Sequence, residues 1–102
     1  MNLKYKIIWD RGALEEFRSI LFYLQNQSSN ASRIVKLTLF DRLELLKINP
    51  SLAEVDRLKN EPNLNFHAFV FFSYRVTYQI IEVKNLIRIL RVRHTSKEPL
   101  NY

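Results

Sequence analysis

Between Tyr74 and Pro99 the sequence reads YRVTYQIIEVKNLIRILRVRHTSKEP, a stretch that carries Arg75, Lys84, Arg88, Arg91, Arg93, His94 and Lys97. Its β-branched and aromatic residues read as two strands joined by a tight polar turn around Glu82 to Asn85. Strands of a two-layer domain bury one face, so these cations belong on the other face or at the strand ends. Grouped arginines and lysines bind oxyanions, which makes this stretch an open basic surface for carboxylates or phosphates.

The rest of the composition narrows the chemistry. The chain has 102 residues, a formal net charge of +6 and a pI near 9.8. That balance favours an acidic or polyanionic partner: nucleic acid, a machine that handles it, or an acidic protein. No cysteine is present, so disulfides and thiolate metal sites are excluded. His67 and His94 are the only imidazoles, too few for structural zinc, and no metal or cofactor is expected. No apolar run approaches the roughly 20 residues that span a bilayer. The expectation is a soluble cytoplasmic protein, with residues 1–102 forming one domain.

Several elements must position the basic stretch. Tyr5 to Trp9, YKIIW, reads as a short strand stopped by Asp10, a residue type suited to a helix N-cap. Ala13, Leu14, Phe17, Ile20, Leu21 and Leu24 then recur at spacings of three and four, predicting a helix to about Gln27, with Glu15, Glu16 and Arg18 on its wet face. The polar run Asn26 to Asn30 predicts an interhelical turn. Val35, Leu39, Leu43 and Leu46 form the stripe of a second helix, from about Ala31 to Ile48, ended by Asn49 and Pro50. Phe22 on the first helix, and Leu37, Phe40 and Ile48 on the second, fall off these stripes, which leaves them as surface apolar residues or as a patch for a partner protein.

Ser51 to Asn65 reads as a surface loop, with a helical turn or short strand around Val55 to Leu58. Phe66 to Phe72, Tyr74 to Ile81 and Leu86 to His94 read as three strands in antiparallel sequence. The fold class is therefore α+β: an N-terminal strand, a two-helix hairpin, then three antiparallel strands, with the helices packed on one face of the sheet. Alternation puts Val76, Tyr78 and Ile80 toward the helices and Arg75, Thr77 and Gln79 on the open side. In the last strand Leu90, Val92 and His94 alternate with Ile89, Arg91 and Arg93, which leaves the facing of His94 open. His67 reads as an ordinary strand histidine.

Taken together, the strand ending in Trp9, the helix Ala13 to Leu24, the alanine opening the second helix and the proline closing it, YRVTYQI at Tyr74 to Ile80, and the ILRVRH segment with its basic tail resemble the RelE/ParE toxin superfamily of bacterial type II toxin–antitoxin modules, which includes plasmid stabilisation proteins. The resemblance covers nearly the whole chain. It implies a growth-inhibiting toxin neutralised by a cognate acidic antitoxin that lies across the helical hairpin, where Phe22, Leu37 and Phe40 would meet it.

The superfamily holds two mechanisms, messenger RNA cleavage on the ribosome (RelE-like) and inhibition of DNA gyrase (ParE-like). Cleavage needs a base for the attacking 2′-hydroxyl, cations for the phosphate and an acid for the leaving oxygen. By resemblance these roles would fall to Arg75, His94, Lys97 and Tyr102, while no carboxylate spacing fixes a base. Without cleavage, Arg75, Arg91, Arg93 and Lys59 would instead contact the target. The tail has Ser96 and Lys97 where RelE-like chains have an arginine-rich run, which favours the ParE-like reading over the ribonuclease. A basic nucleic-acid-binding domain without toxin activity is the third reading of the same charge.

Overall fold

The computed structural model describes residues 4–52, 54–55 and 65–97. The first strand, β1 (Lys6–Trp9), leads through Asp10 into helix α1 (Arg11–Gln27). Asp10 occupies the N-cap position with extended backbone, but its side chain makes no cap hydrogen bond and accepts instead from Arg88 Nε. Helix α2 (Ser29–Ile48) follows after a single residue, tighter than the predicted turn. Ser28 serves both helices: its backbone N–H donates to the Leu24 carbonyl, closing α1, and its hydroxyl accepts from the Ala31 N–H, capping α2. The hairpin is further tied by the buried Ser32, whose hydroxyl donates to the Leu21 carbonyl at 3.1 Å.

A 3-10 turn at Pro50–Leu52 ends α2, and a two-residue strand β2 (Glu54–Val55) pairs with β3 (Phe66–Phe71). Strands β4 (Tyr74–Ile81) and β5 (Leu86–His94) complete a five-stranded sheet in the order β1-β5-β4-β3-β2. The last three strands are antiparallel neighbours, as their spacing predicts, and the N-terminal strand joins parallel to β5, with Lys6 opposite Leu86 and Trp9 opposite Ile89. Both hairpin turns place a non-glycine residue in the left-handed region. Asn85, at φ 52°, is a residue type that tolerates it; Phe72, at φ 51°, is bulky and exposed.

The core lies between the helices and one face of the sheet. Ala13, Phe17, Val35, Leu39, Leu43 and Leu46 from the helices meet Phe71, Val76, Tyr78, Ile80, Ile87, Ile89 and Val92. Of the predicted stripes, Ala13, Phe17 and the four α2 positions are buried, Ile20, Leu21 and Leu24 pack against them partly buried, and Leu14 is half-buried outside this cluster; the predicted helix-facing set of β4 is buried. Tyr78 is fully buried, and its hydroxyl donates to the Pro50 carbonyl at 2.6 Å, fixing the end of α2 against the sheet. The opposite face of the sheet is less open than expected: Thr77 is fully buried, and its cross-strand neighbour Ala68 and nearby Phe66 are buried as well. That face is exposed at its other end, where Val70 stands opposite Arg75. Among the described residues no helix is long and apolar enough to cross a membrane.

Candidate functional site

The buried positions of β5 run Ile87, Ile89, then Val92, a step of two followed by a step of three. A β-bulge is the cause. Opposite Thr77 and Tyr78 the register slips, so that Arg91 pairs with Thr77 and Ile89 with Tyr78 while Leu90 has no partner. Past the bulge, Val92 continues the core-facing row, and the side chains of Arg91 and Arg93 fall on the other face. In the same region β1 ends. The Asp10 N–H donates to the Ile89 carbonyl, and beyond it the chain turns away into α1, so among the described residues no strand lies beside the edge of β5 from Leu90 to His94.

Glu16 fills that vacancy. From the second turn of α1 its Oε1 accepts the Val92 backbone N–H at 3.0 Å, in the place a strand carbonyl would take. Arg91 reaches round the uncovered edge and donates from Nε at 3.2 Å and Nη2 at 3.0 Å to Oε2. Arg93 Nη1 stands 3.9 Å from the same oxygen. All three side chains are half-buried, at 25 to 30% exposure, where such pairs are less screened than on open surface. The sequence placed Glu16 on the wet face of α1, and this is corrected: one position before the buried Phe17, it lies on the flank of the stripe, beside the sheet edge. An acidic residue flanking a buried stripe, with a strongly basic strand elsewhere in the chain, was the available signal.

Around this cluster lies an open groove of about 1060 Å³ between α1 and the free edge of β5. Gly12, Glu15, Ser19 and Tyr23 form its helix side, and Arg91, Arg93, His94 and Tyr74 its sheet side. The His94 ring sits edge-on to Tyr74, centroids 5.6 Å apart, and its Nδ1 meets the Ser96 hydroxyl at 2.8 Å. Burial, and secondarily the nearby Tyr23, pushes the Tyr74 phenol above its ordinary pKa and keeps it protonated. Tyr74 and Ser96 entered the sequence reading only as parts of motifs, and none of Tyr74, Tyr23 and Ser96 was read there as a site residue.

The predicted site residues divide in space. Arg75 is half-buried, pairs across the sheet with Val70 and Arg93, and does not line the groove. Its neighbour Tyr74 pairs with His94, so Arg75 and His94 project to opposite faces of the sheet. Arg91 and Arg93 lie in the groove, held by Glu16 rather than free. Lys59 and Tyr102 lie outside the described residues, as does the side chain of Lys97. Phe22, Leu37 and Phe40 are exposed by 72, 51 and 41%, and Lys36 Nζ lies over the Phe40 ring. No group of three potential metal ligands occurs among the described residues.

A family model described as the ParE toxin of type II toxin-antitoxin system, parDE, matches residues 7–99. Among solved structures, the isolated E. coli RelE toxin is similar over 92% of this chain and 87% of its own, with a TM-score of 0.59 and 22% identity. The intact E. coli RelBE toxin-antitoxin complex is similar over 88% of this chain and 95% of that chain, with a TM-score of 0.54 and 23% identity. At these identities the likeness speaks to the fold. No curated protein matches the sequence.

Proposed function

Because the chain belongs to the ParE toxin family of type II toxin–antitoxin systems, we propose that it is the growth-inhibiting member of such a pair, acting in the cytoplasm by binding and inhibiting DNA gyrase. The observation that carries the choice of mechanism is the separation of Arg75 from His94. A ribonuclease needs its phosphate-stabilising cation and its proton carrier on one phosphodiester. Here His94 lines the groove and Arg75 does not: Arg75 starts from the opposite face on the inner strand β4, and unlike Arg91 and Arg93 it has no sheet edge to reach round. A binding inhibitor has no such requirement, and a half-buried arginine beside the exposed Val70 suits a protein contact.

The partner that restrains the toxin is an acidic antitoxin. One of the similar structures is a toxin held in a toxin-antitoxin complex. This chain offers such a partner a +6 charge and exposed Phe22, Leu37 and Phe40 on its helices.

Ribosome-dependent cleavage of messenger RNA is the second reading. One observation favours it: His94, Tyr74, Arg91 and Arg93 do line a single groove. Supercoiling by DNA gyrase, measured beside cleavage on programmed ribosomes, separates the two.

A further inference from the structure

Opposite its buried stripe, α2 carries a second one. Ile34, Leu37, Leu45 and Ile48 are all exposed, by 43 to 67%. At about 100° per residue they fall within one arc of about 80°, on the side of the helix turned away from Val35, Leu39, Leu43 and Leu46. Asp41, also exposed, lies in the middle of that arc. Phe40 stands apart from it, because its ring leans toward α1 and meets Phe17 edge-on at 6.4 Å.

The order of these residues along the helix is a palindrome about Asp41. Ile34 and Ile48 stand at equal separations before and after it, and so do Leu37 and Leu45. A stripe of this kind matches its own reverse. When two copies of α2 pack antiparallel across a two-fold axis at Asp41, Ile34 of each copy meets Ile48 of the other, Leu37 meets Leu45, and Asp41 meets Asp41. The spacings of three and four from Ile34 through Leu37, Asp41 and Leu45 to Ile48 are those of a seam on which facing helices interlock. A partner of unrelated sequence would gain nothing from the mirror order.

We propose that this face of α2 is a self-association surface, on which a second copy of the chain docks antiparallel, and that Asp41 limits its strength by setting like charges on the axis. The neighbouring Arg42 turns toward the sheet, its guanidinium 5.8 Å from the Phe69 ring, and not toward Asp41. One helix pair is at the small end of stable interfaces, so the dimer forms at micromolar concentrations and above. Leu37 also belongs to the surface assigned to the antitoxin, so the self-paired and antitoxin-bound forms exclude each other. The surface itself is independent of whether gyrase or the ribosome is the target.

Sedimentation equilibrium of the purified chain without antitoxin tests the pairing, at about 0.15 M salt to screen the +6 charge of each copy. The expected result is a reversible monomer–dimer equilibrium below about 500 µM. Asp41→Leu completes the stripe and should tighten it by about tenfold or more, and Leu45→Asp should weaken it by as much. Ile34→Asp serves if the Leu45 variant does not fold. The chain has no cysteine, so an introduced thiol reports which residues meet. Asp41→Cys lies on the axis against its own copy and should form a disulfide-linked dimer on oxidation with diamide. Ile48→Cys lies about 21 Å along the helix from its own copy, beyond disulfide reach, and should stay monomeric. Combining it with Ile34→Cys should restore the link. A wild-type chain that is monomeric throughout, a dimer unchanged in Leu45→Asp, or equal cross-linking at Asp41→Cys and Ile48→Cys would each overturn the proposal. Loss of antitoxin binding in Leu45→Asp with the dimer intact would assign the stripe to the antitoxin instead.

Discussion

Glu16 and Arg91 are joined across 75 residues of sequence by a guanidinium fork whose Nε and Nη2 donate to one carboxylate oxygen at 3.2 and 3.0 Å, while the other oxygen accepts from the same Nε at 3.3 Å and from the Val92 N–H. This contact fastens the first helix to the last strand at the point where the sheet loses its edge partner. It also explains why the cations of that strand are not a bare basic surface: two of them are spent on a single internal anion.

Glu16→Ala therefore removes the acceptor of a half-buried arginine fork and of a backbone N–H. The expected loss of stability is about 1 to 3 kcal/mol, the range for donors left unsatisfied away from bulk water. Glu16→Gln, which still accepts from Val92, should lose less. Urea unfolding of the two variants checks the order; equal stability of all three proteins would mean that the contact contributes nothing to folding.

Leu39 is fully buried at the centre of the α2 stripe. Leu39→Ala should cost about 2 to 5 kcal/mol, set by how far the core relaxes into the space. Denaturant midpoints measure it, and a change below about 0.5 kcal/mol would contradict the packing described.

Leu37 lies two residues away, about 200° round the helix, and is 51% exposed. Leu37→Asp should leave stability within about 0.5 kcal/mol of wild type. It should weaken antitoxin binding by about tenfold or more, because it places a charge in the apolar surface assigned to that partner. Calorimetric titration with the cognate antitoxin reads the effect, and undiminished affinity would move the antitoxin off this face.

The Tyr74 phenol is held above its ordinary pKa of 10.0, chiefly by burial and then by Tyr23. A raised pKa in the folded state means that the unfolded chain loses its proton first as pH rises. The contribution of Tyr74 to stability is thus full below about pH 10 and declines as pH rises from there through the folded-state value. Melting temperatures between pH 8 and 11 should fall less steeply in Tyr74→Phe than in wild type; parallel curves would show that the phenol is not perturbed.

Much of the architecture was readable from periodicity. Spacings of three and four picked out Ala13, Phe17, Val35, Leu39, Leu43 and Leu46, and these are buried. Alternation picked out Val76, Tyr78 and Ile80, and these meet the helices. Local patterns carry such information because each element buries one face by its own repeat. The site was less legible because it is built from exceptions to the repeats. The bulge at Leu90 carries no glycine or proline to announce it, and only the uneven spacing of Ile87, Ile89 and Val92 betrays it. Parallel pairing of β1 with β5, and the short β1 that leaves Val92 to Glu16, are long-range relations with no local signature. Asp10 was read as a cap from its residue type, but its side chain is taken by Arg88, which is 78 positions away.

Inhibition of gyrase by the purified protein is measured in a supercoiling assay, beside programmed ribosomes carrying a labelled messenger RNA. Supercoiling should stop, added antitoxin should restore it, and the message should stay intact. Uninhibited gyrase together with ribosome-dependent cuts that disappear in His94→Ala would contradict it, and would make the groove of His94 and Tyr74 a ribonuclease centre.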